Sequence, residues 1–318
     1  MRAHRRWFLR SQLVGLSSAA FLRWPTIEVG AEEQAGPGPL PKNSLVLCLA
    51  GLPPADGSKR RRQGVVVVSA DDGAWRLLSP KVGSFRVSPD CRRIAIVDVA
   101  SKDIWICDVS DGSAKKVADF NGMPVWSPDG SSIIYSGMPQ GPLPSLADHK
   151  YETWRLKLDG TDPVRVDLPP TDLVTDWSPD GSWLAMRSHT KEFASGTQIF
   201  VCRPDGREKR RLSSTRGLHM NARFSPDGKT VLYTRLAGKE GTGIWINGLD
   251  GRSPRAIVNG ENRYQYLACW GPDGGRIAYS RTDMKENHAS FEIIDINTLV
   301  YKPLDIPEGN VNDCDWRC

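Results

Sequence analysis

The residues of this sequence that could do chemistry are sparse, and none stands in a spacing that catalysis uses. There is no Gly-x-Ser-x-Gly elbow to present a nucleophile and no His-Glu-x-x-His pair to hold zinc. Gly228-Lys229-Thr230 looks like the end of a phosphate loop, but Arg223 stands where that loop needs glycine, so it reads as a hairpin turn. Past residue 31 the histidines are His149, His189, His219 and His288, isolated from one another. Isolated histidines are more often plain loop residues than ligands, so the expectation is no metal and no cofactor. The seven cysteines lie singly, with no Cys-x-x-Cys. Cys107 and Cys202 occupy matching places on apolar stretches and read as buried free thiols.

Four charged residues say more: Arg86, Asp176, Arg223 and Asp315. Each comes just before a residue that recurs along the chain, and that recurrence organises the sequence. Trp126-Ser127-Pro128-Asp129-Gly130 returns as Trp177 to Gly181, as Phe224 to Gly228 and, with glycine for serine, as Trp270 to Gly274. An earlier copy is Val87-Ser88-Pro89-Asp90-Cys91. Proline to proline, the spacings are 39, 51, 47 and 46 residues, a period that marks a repeat architecture. Proline presets φ at the first corner of a turn, aspartate suits the second, and glycine ends it. Aspartate here is a turn residue and not a catalytic acid.

Each motif precedes a short apolar strand such as Ile94 to Val97 or Val231 to Tyr233. A variable loop, a third strand, a second tight turn and a fourth strand follow. Four strands per repeat of this length predict a β-propeller blade. Residues 45 to 78 supply three strands with the innermost one missing. Asn312 to Trp316 looks like that missing strand, since Trp316 lies 46 residues past Trp270. The expected fold is therefore all-β, a six-bladed propeller over 45–318. It closes where the last strand pairs with Leu45 to Leu49. Cys48 would then nearly face Cys314, and a disulfide between them is conceivable in an oxidising compartment.

In such a ring the strand bearing the aromatic residue is innermost, and side chains alternate along it. The aromatic residue packs between blades, so the preceding one points into the central channel. Blade by blade those residues are Arg86, Val125, Asp176, Arg223, Cys269 and Asp315. Neighbouring blades would form two channel-lining pairs, Arg86 with Asp315 and Asp176 with Arg223. One face of the ring carries the uniform tight turns. The other carries irregular loops spanning 137–150, 188–197, 235–242 and 281–289, where function is added to scaffolds. Candidate binding residues there are His149, His189, Glu192, Arg281, Glu286 and His288. Three of those are histidines opening on one face, the one place a metal could assemble. Short basic runs, Lys59 to Arg62 and Lys209 to Arg211, read as solvated hairpin ends.

The repeated Trp/Phe-Ser-Pro-Asp-Gly followed by an apolar strand resembles the WD40-like (PD40) repeat of the bacterial TolB propeller family, over roughly residues 45 to 317. The resemblance implies a six-bladed periplasmic protein that binds other envelope proteins. TolB carries an α/β domain ahead of its propeller, where this sequence has only a linker at 32–44. The Tol–Pal role and the TolA contact made through that domain are therefore not carried over. Similar repeats occur in prolyl-oligopeptidase-like enzymes, but no hydrolase sequence accompanies them here. The expected function is a non-catalytic scaffold for protein–protein interaction in the envelope, acting as a monomer. The alternative is a propeller enzyme, a lactonase or glycan-acting, with a site at the channel mouth.

Net charge is +5, but residues 1–31 hold five arginines and one glutamate, leaving +1 for the rest. That balance points away from nucleic acid and membrane surfaces. Residues 1–31 read as an export signal: a basic start, an apolar run of 12 residues from Ser11 to Leu22, and small residues at Val29-Gly30-Ala31. Twelve residues are too few to span a bilayer. Arg5-Arg6-Trp7-Phe8-Leu9-Arg10 resembles the twin-arginine export motif, which predicts a periplasmic or otherwise exported location. The mature protein is expected to begin at Glu32 on N-terminal sequencing, and Arg5→Lys with Arg6→Lys should hold it in the cytoplasm. Export that is unchanged in that double variant would rule out the twin-arginine route.

Overall fold

The computed structural model describes residues 40–52, 62–71, 74–79, 83–98, 101–111, 113–119, 122–138, 150–158, 163–189, 196–237, 242–260, 263–264, 267–283, 288–306 and 310–318. The leader, Glu192, Glu286 and His149 lie outside them. All regular structure among these residues is β-strand, and no helix there is long and apolar enough to cross a membrane.

The strands fall into groups of four or five in chain order, the first completed by the last strand. The first holds β1 (Ser44–Leu52), β2 (Arg62–Ser69) and β3 (Trp75–Ser79). The next two are β4 (Phe85–Val87), β5 (Arg93–Val97), β6 (Ile104–Asp108) and β7 (Ala114–Ala118), then β8 (Gly122–Trp126), β9 (Ser132–Gly137), β10 (Glu152–Lys157) and β11 (Val164–Val166). After them come β12 (Asp172–Trp177), β13 (Leu184–His189), β14 (Thr197–Cys202) and the two-residue β15 (Arg210–Arg211). Then follow β16 (Leu218–Phe224), β17 (Thr230–Leu236), β18 (Thr242–Gly248) and β19 (Arg255–Gly260). The last group is β20 (Arg263–Tyr264), β21 (Ala268–Trp270), β22 (Arg276–Asp283), β23 (His288–Asp295) and β24 (Tyr301–Pro303). The final strand, β25 (Asn310–Asp315), returns to the start and pairs antiparallel with β1, Val46 opposite Asp315. Among the described residues, apart from one parallel bridge, Thr197 to Leu218, every pairing is antiparallel, and each joins sequence neighbours except β20 with β22 and the return of β25 to β1.

Strands in the middle of these groups read as unbroken apolar runs because both of their faces are buried. Leu45, Leu47 and Leu49 pack in one cluster with Trp316 and Phe291, while Val46 and Cys48 pack in another with Phe85 and Val87. One strand thus stitches two layers of core. Leu40 is buried in the second cluster and Ser44 begins β1, so the end of the expected linker is built into the fold.

The repeated turns share one hydrogen-bond pattern. Ser178 Oγ donates to Asp180 (2.6 Å), Asp180 accepts the Ser182 N–H (3.0 Å), and the Gly181 N–H returns to the Ser178 carbonyl (2.9 Å). Ser127 and Ser131 hold the Asp129 carboxyl down at about 2 in the same way. The closing glycines, Gly130, Gly181, Gly228 and Gly274, sit at φ 66°, 76°, 71° and 68°, a region glycine enters without strain. Each lies against the proline of the preceding turn. A Cβ on Gly228, for example, would come 3.5 Å from Pro179. In the fifth copy glycine replaces serine because a Cβ at Gly271 would meet the Trp316 ring at 3.1 Å.

Cys91 breaks the pattern. It holds the glycine position at φ 58° and forms a disulfide with Cys318, Cα–Cα 6.0 Å. Counted from Trp316, Cys318 stands where the other copies have proline, so the usual glycine-on-proline contact is replaced here by a covalent bond. Cys48 and Cys314 form no disulfide with each other, and they lie one residue out of register, within the expected offset. Cys48 lies opposite Asp313 and Leu47 opposite Cys314, which puts the two thiols on opposite faces of the sheet. Cys107 and Cys202 are free and buried. Cys318→Ser is expected to cost about 2–5 kcal/mol in urea unfolding of the oxidised protein. In that background Cys91→Gly should restore about 1 kcal/mol by relieving the left-handed backbone. A further loss on Cys91→Gly would show that the position is not strained.

Candidate functional site

The innermost strands form a continuous series of contacts: β4 with β8, β8 with β12, β12 with β16, β16 with β21, β21 with β25, and β25 with β4. Between them lie two cavities, and three arginines and three aspartates line them. Arg86, Asp176, Arg223, Cys269 and Asp315 all border this space, whereas Val125 packs with Ile134 and Val174. Asp313 and Arg317, two residues either side of Asp315, join them because side chains at i and i+2 share a face of a strand.

Those two extra residues change the pairing. Arg86 Nη1 bonds Asp313 (2.8 Å), not Asp315, and Asp176 is held by Arg317 (3.1 Å), not Arg223. Arg317 also reaches Asp315 (3.3 Å), so one guanidinium ties the last strand to β12. The carboxylates are turned toward backbone instead of toward their expected arginines. Asp313 accepts the Phe85 N–H (3.2 Å), Asp315 the Val87 N–H (3.0 Å), and Asp176 the Phe224 N–H (2.8 Å). On the far side of each arginine-bearing strand a tryptophan donates to the arginine's own carbonyl: Trp126 to Arg86 (2.9 Å) and Trp270 to Arg223 (3.2 Å). The arrangement of aspartate, arginine strand and tryptophan thus occurs twice, on β25–β4–β8 and on β12–β16–β21.

The electrostatics follow from burial and from these contacts. Burial pushes the Arg86 guanidinium below its ordinary range, and nearby Arg223 adds to the shift, against Asp313 and Asp315. Burial also opposes the charge on Arg223, but Asp315, Asp176 and Asp313 outweigh it and the net shift is upward. Asp315 behaves likewise: burial raises it, yet Arg317, Arg223 and Arg86 bring it below the usual carboxylate range.

One cavity, about 280 Å³, opens on the tight-turn side. Its rim is made by the turn prolines Pro89, Pro128, Pro179, Pro226 and Pro272, and its floor includes Asp176, Arg223, Asp315 and Arg317. The other, about 160 Å³, opens where the innermost strands begin, the side of the irregular loops.

The loop-face candidates are less gathered. His189 ends β13 half-buried and stacks on Tyr151, ring centroids 6.5 Å apart. Arg281 is taken up by buried Glu292 (2.9 Å), which also accepts the Tyr279 hydroxyl. His288 lies on β23, and its side chain is outside the description. Two residues that read as bland are structural. His219 is fully buried on β16, donates from Nδ1 to the Thr197 carbonyl (2.9 Å), and burial pushes it down to about 4. Lys209, expected as a solvated hairpin end, bonds the buried Asp172 at 2.6 Å. Among the described residues no cluster of three or more His, Cys, Asp or Glu is placed to hold a metal.

The family model described as the TolB beta propeller domain matches residues 62–318. The chain belongs to that family. A TolB homolog from Chlorobium luteolum is 26% identical over 139 residues, which cover 42% of this chain and 28% of that protein. The match thus spans well under a third of that curated relative's length. The crystal structure of TolB from Acinetobacter baumannii superposes with TM-score 0.70 at 18% identity, covering 87% of this chain and 68% of that one. The oligogalacturonate lyase from Vibrio parahaemolyticus does so with TM-score 0.57 at 11% identity, over 81% of this chain and 78% of that one. These likenesses show a TolB-type propeller fold.

In this propeller Asp315 contributes stability above the unfolded aspartate range, near pH 4, and loses it as pH falls through its own depressed value. Asp315→Asn is expected to cost about 3 kcal/mol at pH 7 and to flatten the acid limb of stability against pH. An unchanged acid limb in urea titrations from pH 7 to pH 3 would show that the carboxylate is not held by these arginines.

Proposed function

We propose that this chain is an exported, six-bladed TolB-type propeller that binds a protein partner in the bacterial envelope and performs no chemistry of its own. Support for the ring comes from the cyclic series of contacts among innermost strands and from β25 seating on β1. Support for export comes from the leader and from the Cys91–Cys318 bridge, which belongs in an oxidising compartment such as the periplasm.

The observation that carries the non-catalytic reading is the fate of the buried carboxylates. Asp176, Asp313 and Asp315 are each engaged by a backbone N–H and by an arginine. A general acid or base needs a proton to exchange with substrate near neutral pH. Carboxylates clamped as these are have their oxygens taken up in holding strands together. The binding reading places the partner on the loop face, where loop sequence varies while the opposite turns repeat.

Mature protein should recover a stoichiometric partner from envelope extract. His189→Ala, Glu192→Ala or Glu286→Ala should weaken capture several-fold, and Asp111→Ala or Asp250→Ala should leave it unchanged. Equal losses from both faces would refute the loop-face assignment. Turnover of a lactone or a uronate glycan by the purified protein, lost in Asp176→Asn, would establish the enzymatic alternative instead.

A further inference from the structure

The smaller cavity contains an arginine with no assigned work. Arg223 is 6% exposed and lines both cavities, yet its guanidinium makes no hydrogen bond among the described residues. The Asp313 Oδ1 beside it is 3.9 Å away, beyond hydrogen-bond reach. Asp313 cannot turn to meet it. One carboxylate oxygen is held by Arg86 and the Phe85 N–H, and the other accepts the Cys314 N–H at 3.0 Å. Arg86, 4% exposed, borders the same cavity and leaves its Nε without a partner. A guanidinium carries five donors in a fixed planar fork, so the pair leaves donors facing the cavity.

We propose that this cavity is a carboxylate-binding site, with Arg223 as the grip and Arg86 as its electrostatic support. Arg86 and Arg223 against Asp313 leave one net positive charge at the cavity, which suits a monoanion. A phosphate dianion would bring a second charge against Asp313 and Asp315. A planar carboxylate matches the guanidinium fork with two parallel bonds. Ser84 and Asn312 give the wall polar edges, and Met123 and Leu267 give it apolar ones. At about 160 Å³ the space admits a carboxylate and a few more atoms. The carboxylate could be a free small acid or the tip of a side chain or C-terminus of a protein. The site stands whether or not the loop face docks a partner, and its test uses purified protein alone.

The test is titration of the full chain with sodium acetate, and separately with the dipeptide Gly-Asp, against sodium chloride at equal ionic strength. Binding is read from the Arg Nε–Hε resonances and by calorimetry. Saturable shifts of the Arg223 resonance by acetate would support the site with a free acid as sufficient ligand. Shifts by Gly-Asp only would support it with a peptide carboxylate as the source. Arg223→Gln should weaken binding at least about tenfold. Asp313→Asn removes a competing negative charge and should tighten it roughly tenfold. A merely disruptive substitution would weaken both, so the opposite signs separate binding from folding. No saturable shift with either probe, or binding unchanged in both variants, would overturn the proposal.

Discussion

An innermost strand has one edge that its own sheet cannot satisfy, and a buried N–H left there is costly. In this propeller the edge is completed by aspartates from the strand next door. Asp313 and Asp315 on β25 take the Phe85 and Val87 N–H groups of β4, and Asp176 on β12 takes that of Phe224 on β16. Placing carboxylates in the centre then demands cations beside them, since an isolated buried charge is far more costly than an open edge. Arg86 and Arg317 answer that demand directly, and Arg223 does so through the field of all three aspartates. Three positive and three negative groups make the centre neutral.

The same requirement explains the doubled arrangement. Wherever an arginine lies on an innermost strand, an aspartate from the preceding strand holds its neighbour's N–H and a tryptophan from the following strand holds its carbonyl. Those tryptophans also fill the wedge between adjacent sheets, as Trp126 does against Ala95, Ile104 and Ile133. Polar satisfaction and apolar packing are thus set by one side chain. A substitution at either tryptophan would disturb both at once.

The repeats were legible because turn chemistry is local. Ser-Pro-Asp-Gly specifies its hydrogen bonds within five residues, and the strand after it follows from its apolar run. The inward position of Arg86, Asp176, Arg223 and Asp315 followed from alternation along a strand. Their pairing did not, because it depends on Asp313 and Arg317, two residues up and down a strand, whose sequence context carries no motif. The disulfide was hidden for a related reason. Cys91 and Cys318 are informative only once Trp316 is aligned with the other aromatic residues, which places Cys318 at a proline position. His219 and Lys209 looked ordinary because their partners, Thr197 and Asp172, are distant in sequence.

The return of β25 to β1 sets an order of events during synthesis. Until the last strand emerges, the apolar residues Val46 to Ala50 offer an unpaired sheet edge, a template for pairing with other chains. At ordinary translation rates that interval is on the order of tens of seconds. Contacts this remote in sequence also form slowly once the chain is complete. The bridge across 227 residues can form only after that wait, so oxidation records a finished molecule and does not guide an unfinished one. Once made, it prevents the seam strand from leaving while the rest stays folded, and loss of the structure becomes a global event.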